Sequence, residues 1–127
     1  MLKDFNQFLL ENDQEMLTKL EDLVNNKITC SIYYKGERIG DILDGIRFIE
    51  PYCVGIGNDK QYLLRAWLIK GVSKTGKIDP RVVPGWRLFK INRIRTITPT
   101  LDKIEVPKKG YNIEDSAMKE ILFTSNF

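Results

Sequence analysis

The apolar residues of this chain change period once, near residue 28, and that change limits the fold more than any other feature. Before it, Met16, Leu20, Leu23 and Val24 recur at i, i+4, i+7 and i+8, which places them on one face of a 3.6-residue repeat. Leu2, Phe5 and Leu9 give the first turns a stripe of their own. Asn12 followed by Glu15 has the form of a capping box, so the segment reads as one helix or as a pair broken near 11–13. Asn25-Asn26 supplies a stop. From residue 28 the period is two: Ile28, Cys30, Ile32 and Tyr34 alternate with Thr29, Ser31 and Tyr33.

Three further runs have strand character: 45–52 (GIRFIEPY), 61–69 (QYLLRAWLI) and 86–97 (WRLFKINRIRTI). Gly, Asn, Asp and Pro cluster between them, as in KGERIGD (35–41) and GIGNDK (55–60), and a long polar loop spans 71–85. Residues 101–110 read as a short additional strand. Asn112 reads as the cap of a final helix, with Asp115 in its first turn and Ile113, Ala117, Ile121 and Leu122 on one side. The expected fold is α+β: a small antiparallel Sm/SH3-like β-barrel or curled sheet, with an N-terminal helix or helix pair and a short C-terminal helix. Within a single compact domain the parts are 1–27 helical, packed on the sheet or on a partner copy, 28–110 the β-core, and 111–127 the last helix. A chain of 127 residues supports one core of this size.

Charge is unevenly spread. Residues 1–27 carry three Lys against six Asp/Glu, net −3; residues 28–110 carry sixteen Lys/Arg against eight Asp/Glu, net +8; residues 111–127 are net −2. The positive charge therefore belongs to the β region, as an anion-attracting surface would require. The chain has no histidine, which removes Ser-His and Cys-His nucleophile activation and histidine-ligated metal sites. Cys30 and Cys53 lack CxxC spacing and read as buried free thiols. No carboxylate pair has suggestive placement, so neither an enzyme nor a cofactor is expected. No apolar run is long enough to span a membrane, and the first sixteen residues are too polar and acidic for a secretory signal, which makes the cytoplasm the expected location.

In the window 84–97, Arg87, Lys90, Arg93 and Arg95 are threaded through Trp86, Leu88, Phe89, Ile91, Ile94 and Ile97. Arg47 and Arg65 likewise share strand faces with bulky apolar residues. Each arginine alone reads as a stem laid on the sheet with its head in water, or as the partner of Asp41, Asp44 or Glu50. Together, beside Tyr52, Tyr62, Trp67 and Trp86, they have the basic-plus-aromatic composition of a phosphate or single-strand site, because guanidinium is planar, weakly hydrated and able to grip phosphate bidentately.

The stretches ITCSIYYKG, IRFIEPYCVG, QYLLRAWL and WRLFKINRI, in that order over about residues 28–98, resemble the WYL domain, an Sm-like small β-barrel of bacterial and phage regulators. The name motif Trp-Tyr-Leu corresponds here to Gln61-Tyr62-Leu63, so its tryptophan is replaced, while Phe89, Arg93 and Ile94 keep the ending of the last strand. The resemblance implies a ligand-sensing regulatory module that binds nucleic acid or a nucleotide through basic and aromatic residues. The acidic 27-residue segment before the β region does not resemble the winged helix such domains usually follow, so a standalone member is expected. The expected contacts are Arg47, Arg65, Arg87 and Arg93 on phosphate, with Tyr62 and Trp86 stacking on or shaping the pocket. The expected partner is single-stranded nucleic acid or otherwise a small nucleotide, with a homodimer through the N-terminal helix. The other reading is a structural or protein–protein interaction protein that docks through that helix and ties its arginines into ion pairs.

Overall fold

The computed structural model describes residues 5–36, 44–72 and 76–127, with side chains from residue 13 onward. The proposed stripe of Leu2, Phe5 and Leu9, the Asn12 cap, and Asp41 lie outside the described side chains. Of the two readings of the N-terminal segment, the single helix is the one formed: α1 (Phe5–Asn26) runs without a break near 11–13. It ends where Lys27 takes φ +58°, a left-handed conformation that cannot continue the helix. The face of Met16, Leu20, Leu23 and Val24 is buried on the chain's own sheet, with Leu20 and Val24 fully enclosed.

Six strands follow: β1 (Ile28–Tyr34), β2 (Gly45–Ile56), β3 (Tyr62–Val72), β4 (Gly85–Lys90), β5 (Ile94–Lys103) and β6 (Glu120–Thr124). All pair antiparallel in the order β4-β3-β2-β1-β5, with β6 joined to β2. The fold is α+β, a curled sheet with an N-terminal helix, as expected. The sheet is not closed into a barrel. Its curl is nonetheless strong, because β4 and β5 stand at opposite ends of the order and are joined by a single 3-10 turn, Ile91–Arg93. At that joint the Tyr34 hydroxyl accepts from the Lys90 N–H (3.0 Å), and the Lys35 N–H donates to the Arg93 carbonyl (2.8 Å). The core lies inside the curl, where Cys30, Ile32, Ile49, Leu64, Phe89, Ile91 and Ile94 meet the buried face of α1.

Three strand boundaries differ from the sequence reading. The run 86–97 is two strands, since a turn at Ile91–Arg93 resets the alternation and sends its halves to opposite edges. The strand expected at 101–110 is the end of β5, which stops at Lys103. β2 continues past Pro51 to Ile56. Proline has no N–H to give a ladder and is tolerated in a strand interior at a bulge. Here the register shifts between Pro51 and Cys53, and β2 changes partner on one edge: Gly45–Ile49 pair with β1, Cys53–Ile56 with β6.

The C-terminal helix is not formed. Asn112 Oδ1 accepts from the Glu114 N–H (2.9 Å) and Asp115 Oδ1 from the Ala117 N–H (3.0 Å), so these side chains close turns and do not cap a helix. Ile121 and Leu122 then enter β6. The close approach of β6 to β2 depends on Gly55, where a Cβ would run into the Glu120 carbonyl and lie 3.0 Å from Met118 Sδ. Gly55→Ala is therefore expected to destabilise the fold by about 1–3 kcal/mol, as overpacking does. Urea unfolding checks this; an unchanged midpoint would mean that β6 is not seated as described.

Candidate functional site

Strand register separates the cations of the β region. Trp67 faces Trp86 and Arg65 faces Leu88 across the β3–β4 ladder, and cross-strand partners share a face, so these four lie on the outer side of the sheet. Arg87 is opposite Ala66, on the inner side with Phe89. The outer side is crossed by residues 104–118 on their way from β5 to β6. This strap is anchored by a network that begins on β2. The Tyr52 hydroxyl donates to Glu50 Oε1 (2.6 Å) and accepts from the Lys108 N–H (3.0 Å), while Lys108 Nζ meets Glu50 Oε2 (2.9 Å). Trp86 Nε1 donates to the Lys109 carbonyl (2.9 Å). Gly110 takes φ +94°, and a Cβ there would come within 3.0 Å of Trp86 Nε1, so a glycine is what lets the strap turn against the indole.

Aromatic rings fill the space beneath. Tyr52 lies 5.0 Å from both Trp86 and Tyr111, ring centroid to ring centroid, and Phe127 closes the group from the C-terminus. Trp67 meets Trp86 edge to face at 5.6 Å. Between these rings and the strap is a cavity of about 150 Å³. Tyr52, Trp86 and Tyr111 form its aromatic walls; Cys53, Arg65, Gly110, Asn112, Asp115 and Ser116 complete it. Arg65 grips Asp115 with two hydrogen bonds, Nε to Oδ2 at 2.6 Å and Nη2 to Oδ1 at 3.3 Å. The arginine side chain stays 27% exposed while the aspartate is 9% exposed. Arg65 is thus the more open member of the pair, and both residues line the cavity.

Burial works to raise the Asp115 carboxyl, but the Arg65 side chain and the Ala117 N–H outweigh it and hold the group below its ordinary range. Burial pushes the Cys53 thiol up to about 11 and the Cys30 thiol up to about 12. Both cysteines are free and buried, as the sequence indicated. At neutral pH Cys53 is thus a thiol and not a nucleophilic thiolate. Among the described residues no group of three or more Asp, Glu or Cys converges in a way that could hold a metal. No helix among them is long and apolar enough to cross a membrane.

Of the six residues singled out in the sequence, Arg65 and Trp86 come together in this cavity. The others do not join them. Arg47 is 1% exposed and lies across the ladders from Ile32 and Gly71; its Nη1 donates to the Ile46 carbonyl. Burial pulls its pKa down, and the nearby Asp79 carboxylate opposes that. Arg87 folds back on backbone, Nη2 donating to the Val83 carbonyl (2.6 Å) and Nη1 to that of Trp86 (2.9 Å). Arg93 Nη1 donates to the carbonyl of Gly36 (3.0 Å), at the end of the β1–β2 connection. Tyr62 lines a different concavity, at the β2–β3 turn. Tyr111, Asn112, Asp115 and Ser116 also line the cavity; in the sequence Asn112 and Asp115 read as the cap and first turn of a helix, because the apolar spacing after them is helical, although Gly-Tyr-Asn also has turn chemistry.

No protein-family model, no curated protein and no solved structure matches the chain.

The Arg65–Asp115 pair sets an acid limit on the strap. With the folded pKa of Asp115 below its unfolded value near 3.9, the pair's stabilisation is present above that value and is lost as pH falls through the folded pKa. Asp115→Asn is expected to cost about 1–3 kcal/mol at neutral pH and to lessen the loss of stability below pH ~4. Denaturant titrations at neutral and acid pH check this; parallel pH profiles for the two proteins would contradict it.

Proposed function

We propose that the chain is a non-enzymatic binding module that takes single-stranded nucleic acid on its outer face, with one base entering the cavity. The observation that carries this is the cavity itself. Two aromatic rings, Trp86 and Tyr111, line a space that also has an arginine in its wall. Stacking on such rings is tolerant of sequence, and a guanidinium beside them meets the adjoining phosphate. At about 150 Å³ the space falls below the roughly 300–1,000 Å³ of sites that enclose a drug-sized ligand. It suits one ring of a ligand whose remainder stays outside, which favours a strand over a free nucleotide. Lys109, exposed on the strap beside Trp86, has no carboxylate partner among the described residues and adds positive charge at the rim. The resemblance of residues 28–98 to WYL domains supports the same reading.

One observation favours the protein-interaction reading. Arg65 is tied to Asp115, and Arg87 and Arg93 are bonded to backbone carbonyls, so these arginines already serve the fold. Phosphate would then be met chiefly by rim lysines such as Lys109, with Arg65 shared with Asp115, which predicts a shallow dependence on salt.

Fluorescence anisotropy with labelled single- and double-stranded DNA and RNA across a salt series separates the two. The nucleic-acid reading expects single strands to bind better than duplex, with log affinity falling by roughly 0.7 per phosphate contact for each decade of salt. Trp86→Ala should weaken binding by about 1–3 kcal/mol, the contribution of one stacked base. Lys109→Gln should remove about one contact from the slope with folding, followed by circular dichroism, unchanged. Absence of binding at the lowest salt would sink this reading and leave protein docking.

A further inference from the structure

A second concavity opens at the β2–β3 turn, and the function proposed above does not use it. Its volume is about 710 Å³ and its wall is Ile56, Gly57, Lys60, Tyr62, Lys119 and Glu120. We infer that this groove is a second subsite for the same single strand, with Lys60 and Lys119 on phosphate and the Tyr62 ring under a base. The inference rests on the single-strand reading and extends it from one base to a track.

The groove is built by backbone. The Gly57 N–H donates to the Gln61 carbonyl (2.9 Å) and the Lys60 N–H to the Gly57 carbonyl (3.0 Å), which makes a tight turn with Lys60 at φ +63°. The Lys119 N–H donates to the Ile56 carbonyl (2.7 Å) and sets the second lysine beside the first wall. Neither lysine has a carboxylate partner among the described residues, unlike Lys35 with Asp44, Lys108 with Glu50 or Arg81 with Asp79. Two exposed lysines in one wall with a half-buried tyrosine, whose ring also packs against the core, are a phosphate-and-ring site in composition. Glu120 is the one carboxylate in the wall; it repels a phosphate placed against it and accepts from a base N–H, such as the N3–H of thymine, so it sorts the two.

Three elements connect the groove to the cavity. Cys53 lines the cavity and Ile56 the groove on β2; Arg65 and Tyr62 do so on β3; Ser116 and Lys119 do so on the strap. Each pair is three residues apart, about 10 Å at roughly 3.3 Å per residue of strand, and this odd spacing turns Ile56 and Tyr62 to the inner side, so the groove lies around the β2–β3 end of the sheet from the cavity. A strand with one base in the cavity reaches the groove by rounding that end of the sheet, which an octanucleotide is long enough to do and a dinucleotide is not.

The test compares a labelled oligo(dT) dinucleotide with an octanucleotide, titrated into the full chain and into a Lys60→Gln/Lys119→Gln double variant across a salt series. Both lysines are exposed, and an unchanged melting temperature confirms that the variant is folded. The inference expects the wild-type chain to bind the octanucleotide more tightly than the dinucleotide. It expects the double variant to lose that gain, with the salt slope for the octanucleotide reduced by about 1.4, two contacts at roughly 0.7 each. Dinucleotide binding should be the same for both proteins. Wild-type binding of the octanucleotide with an unchanged slope in the variant would overturn the groove and leave the cavity standing. Failure of the wild-type chain to bind either length would overturn the single-strand reading and the groove together.

Discussion

β2 is paired on both edges but not to one partner throughout. β3 runs along one side, while on the other β1 gives way to β6 at the bulge beside Pro51. A proline in a doubly paired strand would ordinarily leave a carbonyl on the neighbouring strand without a donor. Placed at the partner change, it marks where one ladder ends and the next begins. β6 belongs to the C-terminus and β5 lies at the far edge of the sheet, and the chain between them crosses the outer face, where Trp86 and Arg65 hold it. The strap, the cavity beneath it and the approach of Asp115 to Arg65 all follow from that crossing.

The two sides of the sheet do different work. The inner side and α1 form an apolar core closed by side chains such as Leu20, Leu64, Phe89 and Ile94. The outer side carries tryptophan, tyrosine and arginine, held by hydrogen bonds to the strap and to Glu50. A buried polar network of this kind is costly when partly satisfied, so the strap and the outer face are expected to stand or fall as a unit. The net charge of +8 over residues 28–110 is not one patch. Part is neutralised in pairs such as Arg81–Asp79 and Lys108–Glu50, and part is directed at backbone carbonyls, as at Arg87 and Arg93.

Local pattern carried the parts of the fold that local physics controls. The helical face of Met16 to Val24 and the alternation of Ile28 to Tyr34 were legible because each is a solvent-to-core gradient along one element. Pro51 was misleading, since its tolerance depends on a bulge and on which strand lies alongside. Residues 111–122 have a helical spacing of apolar groups, yet Arg65 takes Asp115 and the edge of β2 takes β6. Those partners are 50 or more positions away in the sequence. Arg65 and Arg87 could be assigned to opposite sides only once the β3–β4 register was known. Convergence of Arg65 with Trp86 was legible as composition, and its third partner, the strap, was not.

On the function proposed above, the outer face and not α1 is the binding surface. Backbone amide chemical shifts of the full chain, recorded as a short single-stranded oligonucleotide is added, test it most directly. The account predicts that the perturbed amides cluster at Arg65, Trp86 and Gly110–Ser116, with those of α1 unmoved. Shifts concentrated on α1, or none at any oligonucleotide concentration, would contradict it.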